Sequence, residues 1–317
     1  MSRVAAIDCG TNSIRLLVAD VTAREDGGVS LRDVHRELRI VRLGQDVDAT
    51  GRLAPEALAR TRAALIDYAA VARRAGVERI RMVATSATRD ATNRGDFFSM
   101  VRDILGTEAE VISGDEEARL SFTGAVGDLD PADGPFVVVD VGGGSTEAVL
   151  GEWDGVRADV QAARSVDVGC VRITERHLRA DPPSEEDVGS AEAFAKQALA
   201  DAFAQVPVEQ AGTWVGVAGT VTTLSAIAQE LPEYDAERTH LARLSLDQLR
   251  DTTAALLAST HDERAGNPAI HPGRVDVIAG GAVIVRVFAE ELHARAGIDE
   301  LVVSEHDILD GIALGLA

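Results

Sequence analysis

Two short stretches of this 317-residue chain place an acidic residue, a glycine-containing turn and a second strand in the same order. They are VAAIDCGTNSIRLLVAD at residues 4–20 and FVVVDVGGGSTEAVLG at residues 136–151. At a constant offset of 132, Asp8 falls on Asp140 and Arg15 falls on Glu147. Glycine turns let backbone N–H groups point into a small concavity that suits a phosphate. The repeat therefore predicts two related phosphate-binding turns that face each other across a cleft.

Two carboxylates flank the triple-glycine turn, Asp140 before it and Glu147 after it. Carboxylates beside a bound phosphate repel it unless a divalent cation lies between them. An isolated triple glycine is more often part of an ordinary hairpin, and the second copy is what favours a site. The sequence therefore predicts phosphate bound together with a metal ion.

A further acidic candidate lies in the stretch SGDEEARL at residues 113–120. Ser113 and Glu116 have the spacing of a capping box, so a helix is expected to begin here. Glu117 shares a strip of this helix with the small residues Ser121 and Gly124. A carboxylate on such a strip could reach into a cleft, while a surface acid stabilised by the helix dipole is an equally acceptable interpretation.

Three other segments give weaker evidence for a binding site. Gly219-Thr220 lies between a predicted strand and a helix, where free N–H groups bind anions but where threonine is also a common N-cap. The loop from His271 to Arg274 either brings a cation to the cleft or simply leads into a helix. The run Gly280-Gly281 indicates close approach of backbone or of a ligand.

The amino-acid composition disfavours some classes of binding partner for this protein. The net charge of −21 disfavours a nucleic-acid binder and a protein that binds anionic membranes. The chain has no 18-residue apolar run, and its amino-terminal residues lack the layout of a signal peptide. Cys9 and Cys170 are too far apart in sequence to suggest a disulfide framework or a metal site. We therefore expect a cytoplasmic protein with no nucleic-acid or membrane partner.

The elements that would position these motifs alternate between strands and helices, which indicates an α/β protein. Clear helices are predicted from Pro55 to Ala75 and from Val275 to Glu290. The segment GDLDPADGP at residues 127–135 is the best candidate for a linker. We predict a first domain over residues 1–126 and a second over residues 127–303, with a C-terminal helix at about 304–317 that packs back on the first domain.

Five motifs in this order resemble those of the exopolyphosphatase and guanosine pentaphosphate phosphatase family. They are AIDCGTNSIRLLV, VATSATRD, ISGDEEARL, VVDVGGGSTEAVL and VAGTVTTLSAI, with a looser continuation in HPGRVDVIAGGA. That family belongs to the actin, Hsp70 and sugar-kinase superfold. The resemblance implies two ribonuclease-H-like domains with an active-site cleft between them. It also implies hydrolysis of a terminal phosphoanhydride with Mg²⁺, or with Mn²⁺ as an alternative.

The resemblance also implies roles by position. Glu117 corresponds to the general base for the attacking water, and Arg89 to the arginine that contacts the reacting phosphate. The implied metal carboxylates are Asp140, Glu147 and Asp8. The implied phosphate-binding residues are Gly10, Thr11, Asn12, Ser13, Arg15, Gly142, Gly143, Gly144, Ser145, Thr146, Gly219 and Thr220.

The implied substrate is inorganic polyphosphate, with the guanine nucleotide pppGpp as the alternative, and the family suggests a homodimer. We expect the additional helical domains of longer relatives to be absent, and with a net charge of −21 we expect a preference for short chains. Two rival classes are a kinase of the same superfold and a non-catalytic alarmone sensor. Against the kinase, no distinct acceptor site is evident; against the sensor, Glu117, Asp140 and Glu147 are all present.

Overall fold

Two mixed β-sheets form the frame of the protein in a computed structural model that describes residues 1–317. The strands are β1 Ser2–Cys9, β2 Ser13–Ala23, β3 Val29–Ile40, β4 Arg79–Ala84, β5 Ala109–Val111, β6 Phe136–Val141, β7 Thr146–Trp153, β8 Ala158–Val166, β9 Thr213–Val217, β10 Arg243–Ser245 and β11 Glu300–Val303. The first sheet has the order β3-β2-β1-β4-β5, and the second has the order β10-β11-β9-β6-β7-β8. In each sheet an antiparallel meander of three strands continues into two parallel strands, and the second sheet adds β10 at its edge.

Thirteen α-helices surround these sheets. They are α1 Val47–Thr50, α2 Pro55–Ala75, α3 Ser86–Asp90, α4 Arg94–Leu105, α5 Gly114–Ala125, α6 Cys170–His177, α7 Glu185–Gln205, α8 Ala218–Ala228, α9 Ala236–Thr239, α10 Leu246–Ala258, α11 His261–Ala265, α12 Ile278–Ala296 and α13 Ile308–Leu314. Helix α2 has the predicted bounds, with proline in its first turn and Gly76 in the left-handed conformation after its end. None of the helices combines the length and the apolar composition that crossing a membrane requires.

The predicted internal repeat is present in the strand pairing. Asp8 lies opposite Arg15 in the β1–β2 pair, and Asp140 lies opposite Glu147 in the β6–β7 pair. The turns close with equivalent bonds, from Gly10 N to Ser13 O at 3.0 Å and from Gly142 N to Ser145 O at 3.1 Å. The same local sequence pattern therefore builds the same hairpin in both sheets.

Each sheet is covered by helices on both faces, and α5 and α13 supply the inner layers. The outer face of the first sheet packs on α2 and α4, and that of the second packs on α7, α10 and α12. On the inner faces, α13 packs on β1 of the first sheet and α5 packs on β6 of the second. The predicted boundary at residue 126 assigns α5 to the first domain, yet its apolar strip, with Phe122 at the centre, faces the second sheet.

Helices α5 and α13 cross with their backbones in contact. A Cβ atom at Gly124 would lie 1.8 Å from the carbonyl oxygen of Asp307, and one at Gly311 would lie 2.1 Å from that of Leu120. Only glycine fits at such a crossing. The two helices that link the sheets are therefore held in one register.

Three local expectations need correction. Ser113 accepts a hydrogen bond from the Glu116 amide, but the Glu116 carboxylate pairs with Arg81, so the capping box is only half formed. The helix expected from Val275 to Glu290 is α12, which begins later, after a 3₁₀ turn at Pro272–Arg274, and extends to Ala296. Helix α6 was not predicted, because at eight residues it is too short to be recognised from its apolar pattern alone.

The run Gly280-Gly281 is explained by close approach of backbone and side chains within the protein. A Cβ atom at Gly280 would lie 2.5 Å from the carbonyl oxygen of Cys170, and one at Gly281 would lie 2.4 Å from Thr220 Cγ2. Helix α12 thus packs directly on the first turns of α6 and α8.

We expect Gly311→Ala to lower the free energy of unfolding by about 2 kcal/mol or more, because the added methyl group must separate α13 from α5. Urea unfolding measures this loss. The control is Gly189→Ala in α7, where an added Cβ has no neighbour within 4 Å. That variant should be neutral or more stable by up to about 1 kcal/mol. Equal effects of the two substitutions would contradict the proposed tight crossing.

Candidate active site

The two glycine turns meet in a cleft between the sheets. Most of the predicted site residues line it. The lining residues are Asp8, Gly10, Thr11, Asn12, Ser13, Arg15, Thr85, Ser86, Glu117, Asp140, Gly142, Gly143, Ser145, Cys170, Ala218, Gly219, Thr220 and Arg274, with Leu38, Val141, Val277, Ile278 and Ile308 as the apolar part of the wall.

The carbonyl groups of the triple-glycine turn are all bound by the start of α6. The contacts are Cys170 N to Gly142 O at 2.9 Å, Val171 N to Gly143 O at 2.9 Å and Arg172 Nε to Gly144 O at 3.0 Å. In a planar trans peptide the N–H points away from the preceding carbonyl. With the carbonyls turned to α6, the amides that follow them point toward the cleft. The turn is therefore a ready anion-binding concavity.

The first turn is backed in the same way by the segment after β3. Val41 N and Arg42 N donate to Asn12 O at 3.0 and 2.8 Å, and Gly44 N donates to Thr11 O at 2.8 Å. No sequence motif indicated a role for this segment. Its role is to hold the carbonyls of the first turn away from the cleft, so that both turns present N–H groups to it.

Close contact between the two turns explains the triple glycine. A Cβ atom at Gly143 would lie 2.9 Å from Thr11 Cβ, and one at Gly144 would lie 2.5 Å from Ser86 Oγ. Thr11 Oγ1 and Ser86 Oγ are hydrogen-bonded at 2.8 Å. None of the glycines in the turn has a positive φ. Glycine is therefore needed here for the approach of the opposite turn.

Four buried carboxylates lie in the cleft or next to it, and burial and neighbouring negative charge raise their pKa values. Burial and the charge of Asp307 raise the pKa of Asp140 to about 6. Burial and the charge of Asp140 raise the pKa of Glu147 to about 8. Burial and the charge of Glu147 raise the pKa of Glu117 well above its usual range. Burial also raises the pKa of Asp8. Repulsion of this kind is typical of sites for divalent cations.

Two hydroxyl groups hold these carboxylates in place. Ser121 Oγ donates to Asp140 Oδ2 at 2.8 Å, and Ser165 Oγ donates to Glu147 Oε1 at 2.6 Å. Ser121 lies one turn after Glu117 on α5, so this helix carries both the candidate base and a residue that orients Asp140. The small-residue strip noted in the sequence thus faces the site at Glu117 and Ser121 and contacts α13 at Gly124.

Asp8 and Arg15 form an ion pair across their hairpin. Arg15 Nη2 lies 2.7 Å from Asp8 Oδ2, and Arg15 Nη1 pairs with Asp307. Two carboxylates therefore already compensate the charge of Arg15. The other oxygen of Asp8, Oδ1, is buried and has no hydrogen-bond partner. An unpaired buried carboxylate oxygen beside Asp140 fits a hard cation such as Mg²⁺.

Arg89 lies beside the candidate base. Its Nη1 donates to Ile112 O at 2.9 Å and to Glu117 Oε2 at 3.4 Å. It does not line the cleft, and neither do Glu147, Gly144 and Thr146. Thr146 Oγ1 donates to Val168 O at 2.5 Å, so its hydroxyl secures the hairpin.

Arg274 is the cation of the cleft that has no acidic partner. Its Nη1 donates to Thr223 Oγ1 at 3.0 Å, and it forms no ion pair. A Cβ atom at Gly219 would lie 2.2 Å from Arg274 Nη2, so the guanidinium rests on the third loop. Burial lowers the pKa of Arg274. The sequence offered this cation only as one of two interpretations of the loop, and His271, at its other end, is exposed.

The third loop lies at the amino terminus of α8. Gly219 and Thr220 both line the cleft, as the strand-to-helix pattern predicted. Ala218, the first residue of α8, has φ +68°. A left-handed alanine is a strained conformation, and strain of this kind is often found at functional sites. The loop therefore completes a third wall of the cleft.

Comparisons with known proteins agree with this geometry. The Ppx/GppA phosphatase family matches residues 18–315. The chain is 58% identical to Exopolyphosphatase 2 of Mycobacterium tuberculosis, over 100% of this chain and 99% of that protein. It superposes on the crystal structure of an exopolyphosphatase-like protein with a TM-score of 0.93 at 44% identity, covering 99% of this chain and 98% of that one.

A Ppx/GppA family member from Aquifex aeolicus superposes with a TM-score of 0.78 at 31% identity, covering 99% of this chain and 97% of that one. The two-sheet architecture is that of the actin-like ATPase superfold, as the sequence predicted. With its turns, carboxylates and cleft arranged as described, the chain belongs to the Ppx/GppA phosphatase family and is a hydrolase that acts on phosphoanhydride bonds.

Proposed function

We propose that the protein is an exopolyphosphatase that releases terminal orthophosphate from inorganic polyphosphate by in-line attack of water. The observation that carries the proposal is the pairing of two N–H turns across a cleft that also contains Glu117. Phosphoryl transfer requires mainly positioning of the phosphoryl group and neutralisation of its equatorial oxygens. The amides of the two turns, on opposite sides of the cleft, would supply both the positioning and the neutralisation in a fixed geometry.

Glu117 is the residue that would take the proton of the attacking water. It is buried on α5 beside Arg89, and its carboxylate faces the cleft between the two turns. A raised pKa makes an ionised Glu117 a stronger base than an exposed glutamate. The water's oxygen would bond to the terminal phosphorus while the bridging oxygen leaves with the shortened chain.

The charges on the substrate would be met by three kinds of group. The amides of the turns contact the terminal phosphoryl group, and Arg274 is free to pair with the next phosphate because no carboxylate holds it. We propose that Asp8, Asp140 and Glu147 hold Mg²⁺, with Mn²⁺ as an alternative. The bound ion would neutralise phosphoryl oxygens and orient the attacking water.

A shallower region next to the cleft would receive the remainder of the substrate. It shares Arg15, Gly219 and Arg274 with the cleft and continues to Glu37 and Glu305. Acidic groups here oppose a long polyanion, so we propose a preference for short chains.

The same region favours pppGpp as the second candidate substrate. Tyr234, Pro268, Ile270 and Pro272 form apolar walls there, which suits a nucleobase better than a phosphate chain.

A kinase and a non-catalytic sensor remain less favoured. Glu117 lines the cleft between the two turns, where a carboxylate can take a proton from water. A sensor has no need of a buried, self-repelling carboxylate cluster.

We expect Glu117→Gln to reduce kcat for phosphate release by about 100-fold or more with KM changed by no more than a few-fold, because it removes the base but keeps the shape. In the wild type, kcat should rise as pH rises and Glu117 loses its proton; the rise should be smaller in the variant, where Asp140 and Glu147 still titrate. The control is Glu116→Gln, at the adjacent exposed position. A Glu117→Gln variant with a rate near that of the wild type would exclude this role.

We expect the metal-free protein to lose stability as pH rises from about 5 to about 9. Raised carboxylate pKa values stabilise the fold when the groups are protonated, and this contribution disappears as pH rises through the folded-state values of about 6 for Asp140 and about 8 for Glu147. Mg²⁺ should restore on the order of 2 kcal/mol near the upper limit and little near the lower one.

Urea unfolding with EDTA or with Mg²⁺ measures this effect without any assay of activity. Glu147→Gln should reduce both the pH-dependent loss and the gain with Mg²⁺, while Glu152→Gln, exposed on the same strand, should leave both unchanged. An identical response of the two variants would argue against metal binding by Glu147.

The substrate assignment is tested by phosphate release from short polyphosphate, long polyphosphate, pppGpp and ATP at equal concentrations of terminal phosphate, with and without Mg²⁺. We expect the highest kcat/KM on short polyphosphate. The region beside the cleft has few arginine side chains without an acidic partner, so it would bind the remainder of a long chain poorly. A higher value on the longest chains would refute the short-chain preference. A higher value on pppGpp would favour the second candidate, and transfer of phosphate to an acceptor would favour a kinase.

A further inference from the structure

We infer that Arg172 is a positioning residue that couples closure of the cleft to the geometry of the triple-glycine turn. Its guanidinium contacts both sides of the cleft at once. Nε donates to Gly144 O at 3.0 Å, Nη1 pairs with Asp48, and Nη2 donates to Asp90 Oδ2 at 3.1 Å. The side chain is only 11% exposed.

These contacts join parts of the chain that belong to different sheets. Arg172 lies on α6, whose Ile173 is part of the core of the second sheet. Asp48 on α1 and Asp90 at the end of α3 are flanked by Val47 and Ala91, which are part of the core of the first sheet. Arg176, one turn after Arg172, adds a bond from its Nη2 to Asp48 Oδ1 at 2.6 Å. We call Arg172, Arg176, Asp48 and Asp90 the clasp.

Only an arginine can make the three contacts at position 172. Its planar fork presents several N–H donors in fixed directions, whereas a lysine ammonium is a single point charge. Gly144 is also the residue whose missing side chain lets Ser86 approach. The same peptide is therefore fixed by the first sheet on one side and by Arg172 on the other.

Opening of the cleft would separate Arg172 from both carboxylates. The guanidinium would then be free to turn away from Gly144, and the carbonyl that it holds would lose its orientation. The following amide points into the cleft only while that carbonyl is held. The phosphate-binding amides therefore take their correct orientation only when the cleft is closed. The kinetic part of this inference rests on the proposed phosphohydrolase function, and the conformational part does not.

Arg172→Lys and Asp48→Asn separate the two effects. Arg172→Lys removes the hydrogen bond to Gly144 O and the paired contacts to Asp48 and Asp90. We therefore expect kcat/KM for tripolyphosphate to fall at least about 10-fold, mainly through kcat. In Asp48→Asn the bond to Gly144 O remains while closure weakens, so KM should rise about 3- to 10-fold with kcat within about 2-fold. The control is Arg250→Gln, which breaks a bidentate pair with Glu290 inside the second half of the chain.

A distance measurement tests closure directly. Spin labels at Glu56→Cys on α2 and Gln205→Cys on α7 occupy exposed positions on opposite sides of the cleft, while Cys9 and Cys170 are buried. Asp48→Asn and Arg172→Lys should broaden the distance distribution toward longer values, and orthophosphate should narrow it in the wild type. Arg250→Gln should leave it unchanged.

The inference is overturned if Arg172→Lys has kcat and KM within about 2-fold of those of Arg250→Gln, or if neither clasp variant changes the label distances. It is also overturned if Arg172→Lys lowers kcat while Asp48→Asn leaves KM within about 2-fold of the wild-type value, because opening of the cleft would then have no effect on the turn. A wild type that releases no phosphate would refute the proposed function alone, since the label distances would still report on the clasp.

Discussion

The active cleft depends on the direction of a few peptide carbonyl groups. An amide can face a phosphate only if the carbonyl before it is bound on the opposite side, and buried carbonyls without a partner are costly. Segment 41–44 satisfies those of the first turn, and the start of α6 satisfies those of the triple-glycine turn. The capacity of both turns for anions follows from this arrangement.

A second constraint is the burial of four carboxylates, Asp8, Glu117, Asp140 and Glu147, that repel one another. Charge alone would make such a site unfavourable for a polyphosphate, and the chain as a whole carries −21. Arg15 offsets Asp8 and Asp307, but it leaves one oxygen of Asp8 unpaired. The remaining repulsion is what a divalent cation with its phosphate would relieve. This repulsion is the physical basis of the proposed metal site.

The crossing of α5 and α13 fixes the positions of these carboxylates relative to the two sheets. Helix α5 carries Glu117 and Ser121, and the residue before α13, Asp307, pairs with Arg15. Because Gly124 and Gly311 hold the two helices in backbone contact, the base and the ion pair keep a fixed separation. On the opposite side of the turns, the clasp ties α6 to the first sheet. The two together determine how far the cleft can open.

The sequence by itself determined the hairpins and their functional carboxylates, because a strand, a turn and the next strand are set by neighbouring residues. The offset of 132 therefore predicted two similar hairpins, and in the structure Asp8 pairs with Arg15 as Asp140 pairs with Glu147. Likewise, helical periodicity placed Glu117 on the strip that enters the cleft. Only the tertiary structure decided which segments back the turns, that α5 covers the second sheet, and that Arg274 rather than Arg15 keeps an uncompensated charge. Those features depend on contacts between residues that are far apart in the chain, such as Arg274 and Thr223. A local sequence pattern cannot predict which distant side chain will neutralise a charge.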